Sequence, residues 1–515
     1  MNTPINSPSL QELAEQFNLE LRQAPASELR PNHISLNAEH AREGGIFAAL
    51  PGTRTHGAKF AEGTKASAIL TDEAGLEFLS DTESRPILVA SDIRAILGPV
   101  SSLIFGEPSK RLNIIGITGT SGKTTTTYLL EAICRSFGYS TGLIGTTGTR
   151  INGQPVETAL TTPEAPMLQE LFATMVEQGV SHVVMEVSSH AIALGRVAGT
   201  QFAVRAFTNL SQDHLDFHPT MEDYFETKAS FFDADPETCV ITIDDEWGRK
   251  LATRTQGHTV GFSAGFSPVD DVAEGNGAAA EFAVTGVKNN RDGSQVFTFR
   301  RGEVDWHVSL ELPGRFNVQN AALALACAAV DGMPLSNAVN ALAHVKAPGR
   351  LERIDAGQDF LAVVDYAHKP AAVKAVLETL RGETKGRLGI VLGAGGDRDH
   401  FKRPIMGAAA VYGADCVIVT DDNPRSEDPA AIRAQVMAGA NQALRQESLK
   451  SNRIIEVSEC GDRAEAIRRM VAWARPGDAI VIAGKGHETG QQIGDEKIHF
   501  DDREELRAAL LESLS

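Results

Sequence analysis

An apolar run that ends in a glycine loop and reopens as a helix constrains this chain more than any other feature. In GITGTSGKTTTTYLL (116–130), Gly116 to Thr118 close a strand-like run, Gly119 to Gly122 form a loop, and Lys123 opens a helical pattern. From residue 109 the rhythm repeats, with NIIGIT before 123–137, GLIG before 164–177, and HVVMEV before a loop. Apolar strands alternating with helices predict a parallel sheet covered on both faces. Residues 265–312 break the rhythm: EFAVTG, QVFTFRR and VDWHVSL alternate apolar and polar positions, which predicts an antiparallel excursion. A second alternation follows HVKAPGRLE (344–352), with strands in LAVVDYA, RLGIVLG, CVIVT, RIIEV and AIVIAGKG. Before all of this, GGIFAAL, ASAIL and PILVA lie between polar turns, as in a small α/β unit.

At 515 residues the chain is too long for one ordinary domain. The expected fold is α/β in three domains: a small N-terminal one (1–108), a central P-loop-type domain with a mainly parallel sheet (109–345), and a C-terminal Rossmann-like domain (346–515). The linker is placed near Lys346–Gly349, where Pro and Gly cluster. A net charge of −19 argues against broad nucleic-acid binding, which needs basic surface to displace counterions. The opening MNTPINSPSL has neither the basic nor the apolar region of a secretory signal, and AALALACAAV (321–330) is too short to span a bilayer. Five scattered cysteines without a CxxC predict reduced, buried thiols. A cytoplasmic monomer without a membrane segment is the expectation.

A bound polyphosphate needs converging backbone N–H groups, a nearby cation and a helix N-terminus. Gly119, Thr120, Ser121, Gly122, Lys123, Thr124 and Thr125 supply all three, with Lys123 directed at the β- and γ-phosphates and the Thr124 hydroxyl at Mg²⁺. The loop is shorter than the general P-loop, whose first glycine would fall on Ile117. A glycine turn capping a helix is the plainer reading; the strand before it and the GKTT core favour phosphate. Glu186 ends the run HVVMEV and so falls at the carboxyl rim of the sheet, where α/β folds place ligands. NLSQDHLDFH packs Asp213, His214, Asp216 and His218 into six residues, without the cysteines or HxxxH spacing of a zinc site.

GTSGKTTT, MEVSSHA (185–191), FTNLSQDHLDFH (207–218), YFETKASFF (224–232), GRFNVQNAALA (314–324), VVDYAHKP (363–370), TDDNPRSEDP (420–429) and AGKGHE (483–488) run in order through the second and third segments. Together they resemble the Mur ligase family, the ATP-dependent amino-acid ligases of peptidoglycan precursor synthesis. They most resemble its branch that adds the third stem residue to UDP-N-acetylmuramoyl-L-alanyl-D-glutamate. The resemblance implies an acyl-phosphate reaction that uses ATP and Mg²⁺, with UDP-MurNAc-L-Ala-D-Glu and an amino acid as the other substrates. It implies catalytic roles for Lys123, His214 and Lys228, and metal-ligand roles for Thr124, Glu186, His214 and Lys228, the last as a carbamate. That modification (N6-carboxylysine) needs a depressed amine pKa, which burial among Tyr224, Phe225, Phe231 and Phe232 would give. Asn317 and Asn320 are implied near adenine, and Arg350 and Asp365 near the phosphates and ribose. If so, ATP lies between domains and closure assembles the site.

For the UDP-substrate the resemblance implies Leu36, Thr53, Arg54, Thr55, Thr161, Thr162, Ser188 and Arg196. The family's Asp-Ser-Arg is replaced here by Asn37-Ala38-Glu39, and its Gln by Leu194. For the incoming amino acid it implies Arg398, Asp422, Asn423, Pro424, Arg425, Gly484 and Glu488. Asp422-Asn423-Pro424-Arg425 is the form found in ligases that add meso-diaminopimelate, and Arg425 offers a bidentate clamp for the extra carboxylate that lysine lacks. Two alternatives stand beside this: a lysine-adding or folylpolyglutamate-type ligase of the same superfamily, and a P-loop NTPase switch with no amino-acid acceptor.

Overall fold

A computed structural model describes the chain except residues 1–6, 24–27, 53–54, 216, 234–237, 256–257, 266–279, 291–293, 451–452 and 515. The strand-like runs resolve into three main sheets. The first has five strands in the order Glu20–Arg22, Ile87–Val89, Ala68–Thr71, Ile46–Ala48 and Ile34–Ser35. All its pairs are parallel except the outermost, between Glu20–Arg22 and Ile87–Val89.

The second sheet has eleven strands. Its parallel centre runs Ala280–Asn289, His258–Ser263, Thr238–Thr242, Val204–Phe207, Asn113–Thr118, His182–Glu186 and Thr141–Gly145. The antiparallel excursion is present: Gln295–Arg301 and Val304–Leu310 extend one edge. A second antiparallel extension, Gly148–Ile151 with Gln154–Val156, extends the other edge and was not expected. Its two-residue turn is Asn152-Gly153, both with positive φ (50° and 81°), as the twist of a tight hairpin requires. The helices Lys123–Ser136 and Arg315–Val330 pack together over this sheet. AALALACAAV lies in the second of these helices, buried along almost its whole length.

The third sheet runs Glu352–Arg353, Leu361–Asp365, Ala479–Ala483, Leu388–Leu392, Cys416–Val419 and Glu456–Glu459, parallel but for its first strand. All five cysteines are buried and free. No helix among the described residues is long and apolar enough to cross a membrane.

Parallel strands deliver their loops to one rim, so Thr118, Glu186 and Gly145 end side by side, as do Asp365, Ala483 and Leu392. One buried ion pair supports the third rim. Arg463 donates to both Asp502 carboxylate oxygens (2.7 Å each), and neither side chain is exposed. The same guanidinium donates to the carbonyls of Asp421 (3.2 Å) and Ala483 (3.0 Å), holding two of the rim loops. Arg463→Met is expected to destabilise the protein by about 3–5 kcal/mol, because it leaves a buried carboxylate unpaired. Urea unfolding of the two proteins measures this; a loss under about 1 kcal/mol would mean that water reaches Asp502.

Candidate active site

The loop Gly119–Gly122 leaves the strand Asn113–Thr118 and enters the helix Lys123–Ser136. Its glycines are required. Gly119 has φ 141°, and a Cβ there would stand 1.9 Å from Thr208 Oγ1; Gly122 has φ 89°, and its Cβ would stand 2.2 Å from Asn320 Oδ1. The second contact places Asn320 against the loop. Asn320 Nδ2 donates to Asn317 Oδ1 (3.1 Å), and Asn317 Nδ2 donates to the Pro313 carbonyl (2.7 Å). Both asparagines are buried.

Lys123 Nζ folds back on its own loop, donating to the carbonyls of Gly119 (2.9 Å) and Thr120 (3.1 Å). Burial, then neighbouring Lys369, pulls its pKa down to about 8. Lys228 is buried and donates to Gly119 O (3.0 Å) and Thr118 Oγ1 (3.4 Å), with its ammonium 4.8 Å from the Tyr224 ring centre. Burial first, then Lys123 and Lys369, holds its amine well below the usual lysine range. The expected apolar setting is present: Tyr224, Phe225, Phe231 and Phe232 are all buried.

Glu186 is buried at the rim and accepts from Thr124 Oγ1 (2.9 Å), Thr146 N (2.9 Å) and Thr146 Oγ1 (3.1 Å). Its charge acts on Lys123, whose amine it helps to keep charged. A buried carboxylate beside a hydroxyl is a hard-oxygen donor set suited to Mg²⁺. Among the described residues no three His, Cys, Asp or Glu side chains converge as a complete cation site, so phosphate and water oxygens would have to finish the shell. His214, in a left-handed backbone conformation (φ 53°), places Nε2 2.8 Å from Asp213 Oδ2, and burial lowers its pKa. Asp216 lies outside the described residues.

The third sheet reaches the phosphate loop directly. Arg350 Nη2 donates to Thr124 Oγ1 (3.0 Å) and stacks on Tyr366, 4.5 Å from the ring centre. His487 Nε2 lies 3.1 Å from the Thr146 carbonyl. Asp365 is buried and accepts from the N–H groups of Leu351 (2.7 Å) and Ala367 (2.8 Å).

Around the acceptor candidates, Asn423 Nδ2 donates to Glu488 Oε2 (2.9 Å), and Asp422 is buried nearby. Burial, then Asp422, pushes the Glu488 pKa up. A Cβ at Gly484 (φ 123°) would stand 2.6 Å from Asp422 Oδ2, so this close approach needs glycine. Arg425 has φ 52°, and its backbone is pinned on both sides: its N–H donates to Gln492 O (3.1 Å), and its carbonyl accepts from Gly494 N (2.8 Å). Its Nη1 donates to Gly396 O (2.5 Å). Arg398 is exposed, and its Nη1 donates to the Asp397 carbonyl (3.3 Å). Pro424 lies buried between Asn423 and Arg425.

On the side facing the first segment, Arg196 Nε donates to Glu164 Oε1 (2.9 Å), while Arg94 Nη1 donates to Glu164 Oε2 (2.6 Å). Thr161 Oγ1 lies 3.4 Å from Thr146 Oγ1. Thr162 is turned inward: its hydroxyl donates to Glu186 O (2.9 Å) and accepts from Ser188 N (3.2 Å). Ser188 caps the helix Ser189–Ala193 through Ala191 N (3.2 Å). Leu36 packs on the first core, and the Thr55 hydroxyl is buried without a hydrogen-bond partner among the described residues. Thr53 and Arg54 lie outside the described residues.

Residues 117–328 match the model of the Mur ligase middle domain, and residues 349–486 that of the Mur ligase glutamate ligase domain. The chain is 57% identical over 479 residues to the UDP-N-acetylmuramoyl-L-alanyl-D-glutamate–2,6-diaminopimelate ligase of Corynebacterium glutamicum, covering 91% of this chain and 90% of the relative. The chain belongs to the Mur ligase family. A solved structure described as such a diaminopimelate ligase superposes with a TM-score of 0.66 at 32% identity, over 99% of this chain and all of the other. Folylpolyglutamate synthase from Mycobacterium tuberculosis superposes with a TM-score of 0.59 at 21% identity, over 76% of this chain and 92% of the other, which speaks for the fold alone.

Three residues of this Mur ligase stand in the site without having been singled out from sequence. Thr146 binds Glu186 twice, and Lys485, fully buried, donates to Asn423 Oδ1 (3.2 Å) and to Gly490 O (2.6 Å). Glu164 is the third, and it couples the first segment to Arg196. Thr146 carries no motif, whereas Lys485 lies inside the quoted AGKGHE and Glu164 follows directly on the candidates Thr161 and Thr162 in TTPE (161–164). Glu164→Gln is expected to raise KM for the UDP-substrate about tenfold with kcat little changed, since it removes the charge that fixes Arg196. Steady-state kinetics in that substrate check this; a fall in kcat alone would place Glu164 elsewhere in the cycle.

Proposed function

We propose that this Mur ligase joins meso-diaminopimelate to the γ-carboxylate of D-Glu in UDP-MurNAc-L-Ala-D-Glu, consuming ATP. The observation that carries this reading is the reach of third-sheet residues, Arg350 and His487, onto the phosphate loop and its rim. A nucleotide bound by the second sheet and an acceptor bound by the third are thereby brought to one place. A carboxylate oxygen attacks the γ-phosphorus and ADP leaves. The acceptor's amine nitrogen then attacks the acyl carbon, the phosphate leaves, and one amine proton is lost. Positioning and charge neutralisation are the main demands of such transfers.

Lys123 and the loop N–H groups of Gly119 to Thr125 hold the phosphates. Asn317 and Asn320 face adenine, and Arg350 and Asp365 face phosphate and ribose. Thr124, Glu186, His214 and carbamylated Lys228 would hold Mg²⁺, which supplies charge neutralisation at the phosphoryl group. Leu36, Thr55, Thr161, Ser188 and Arg196 line the UDP-substrate, and Thr162 braces that wall from within. Arg398, Asp422, Asn423, Arg425, Gly484 and Glu488 take the acceptor, with Arg425 on its distal carboxylate and Glu488 on its distal ammonium. The three sheets correspond to domains 1–108, 109–345 and 346–515, and the enzyme works as a cytoplasmic monomer.

The test incubates purified protein, ATP, Mg²⁺ and the UDP-dipeptide with meso-diaminopimelate or with L-lysine. Phosphate release and the mass of the UDP-product are read together. Product with diaminopimelate alone is expected. Product with lysine instead would discard the acceptor assignment, and ATP hydrolysis without any new amide would return the chain to a nucleotide switch.

A further inference from the structure

Three lysines converge on two neighbouring carbonyl oxygens of the phosphate loop. Gly119 O accepts from Lys123 Nζ (2.9 Å) and Lys228 Nζ (3.0 Å), and Thr120 O accepts from Lys123 Nζ (3.1 Å) and Lys369 Nζ (3.5 Å). Lys123 belongs to the loop's own helix, and Lys228 has a role in the reading above. Lys369 has none. It arrives from a different sheet, at the start of the helix Pro370–Glu383 that follows the strand Leu361–Asp365. It is nine-tenths buried, so its ammonium is directed inward and not into solvent.

Asp213 is its one ion-pair partner among the described residues, with Oδ2 2.5 Å from Nζ. Arg350, His214, His368 and Lys402 add positive or potentially positive groups to the same region. Two lysine nitrogens share one carbonyl, and Lys123, Lys369 and Arg350 outnumber the two carboxylates near them, Asp213 and Glu186. After burial, Lys369 is the largest influence holding the Lys123 amine down. That excess of positive charge suits a phosphate group.

We propose that Lys369 is a further catalytic residue, a second phosphate-directed lysine that the third sheet brings to the phosphoryl group in transfer. This rests on the ligase reading. The transferred group must lie between the nucleotide, held by the second sheet, and the acceptor, held by the third. Lys369 is a third-sheet cation that touches the second sheet's loop, and Asp213 tethers it beside His214. No new covalent step is added. Lys369 Nζ donates to the oxygens of the group as it leaves ADP for the carboxylate.

The test compares the unaltered enzyme with Lys369→Met and Lys369→Arg, each first shown to unfold at the parent temperature. Calorimetry gives the affinity for ADP and for a non-hydrolysable ATP analogue, and steady-state assays give kcat. The methionine variant is expected to bind ADP within about twofold of the parent and to lose about tenfold in affinity for the analogue. Its kcat should fall about 100-fold, the usual effect of removing one charge-stabilising donor. The arginine variant should recover at least about tenfold of that kcat, because it restores the cation. Equal weakening of ADP and the analogue, or a kcat within about threefold of the parent, would make Lys369 only a strut between sheets. Absence of UDP-tripeptide from the unaltered enzyme would overturn the ligase reading itself, whatever the variants do.

Discussion

Lys228→Ala is expected to lower kcat by about 100- to 1,000-fold, and bicarbonate will not restore it, while a short carboxylate such as acetate or formate will restore part. The magnitude follows from removing a fixed charge beside the transferred group. The mechanism follows from the environment. Lys228 has no carboxylate within ion-pair distance among the described residues, and its hydrogen-bond acceptors are one carbonyl and one hydroxyl. Burial, followed by the fields of Lys123 and Lys369, favours the neutral amine. A neutral amine adds CO₂, forms an N–C bond and releases one proton, which leaves an anionic carbamate. The sign is therefore fixed: carbamate increases with pH and with dissolved CO₂. The parent enzyme should lose activity in CO₂-free buffer, more completely at lower pH, and regain it on adding bicarbonate. The carbamate would also convert the three-lysine cluster into two cations facing an anion, which relieves the repulsion seen without it. Parent activity indifferent to CO₂, together with an alanine variant that acetate cannot rescue, would sink this account.

The parallel sheets were legible because a strand buried on both faces must be a nearly unbroken apolar run, as in NIIGIT and HVVME, and such runs are rare by chance. The hairpin Gly148–Val156 was not legible. Its strands are short and polar, and Asn152-Gly153 alone signals a turn without saying which sheet it joins. Within the site, sequence pointed to residues whose type and neighbours restrict their chemistry: the glycines of the loop, Lys123, and Glu186 at a strand end. It did not reveal direction. Thr162 reads as a donor to substrate, yet in the fold its hydroxyl braces Glu186 O and Ser188 N. Lys369 reads as one more lysine, and only the meeting of two sheets shows that it points at the phosphate loop. Contacts of this kind join residues 156 and 249 positions apart, and no local pattern records them.

Arg425→Ala is expected to cut kcat/KM for meso-diaminopimelate by about 100-fold or more, through KM, while leaving the use of L-lysine no worse than in the parent. The backbone explains why this side chain can be so selective. Its left-handed φ of 52° is unfavourable for arginine and is held by Gln492 and Gly494, so the side chain leaves the chain in an enforced direction. Burial lowers the Arg425 pKa first, and the charge of Arg398 lowers it further. A half-buried guanidinium with a second arginine, Arg398, in its field suits an anionic partner. The distal carboxylate of diaminopimelate supplies that partner; lysine carries none and would leave the buried charge unpaired. Arg425→Lys should not restore the preference, because a single ammonium lacks the fork that grips a carboxylate. Glu488 adds a pH signature on the same pocket. Its pKa is raised, so it begins to protonate above the ordinary carboxylate range as pH falls, and KM for the acceptor should climb there while KM for ATP stays level. Equal losses with both acceptors in Arg425→Ala would show that the residue shapes the loop and does not read the substrate.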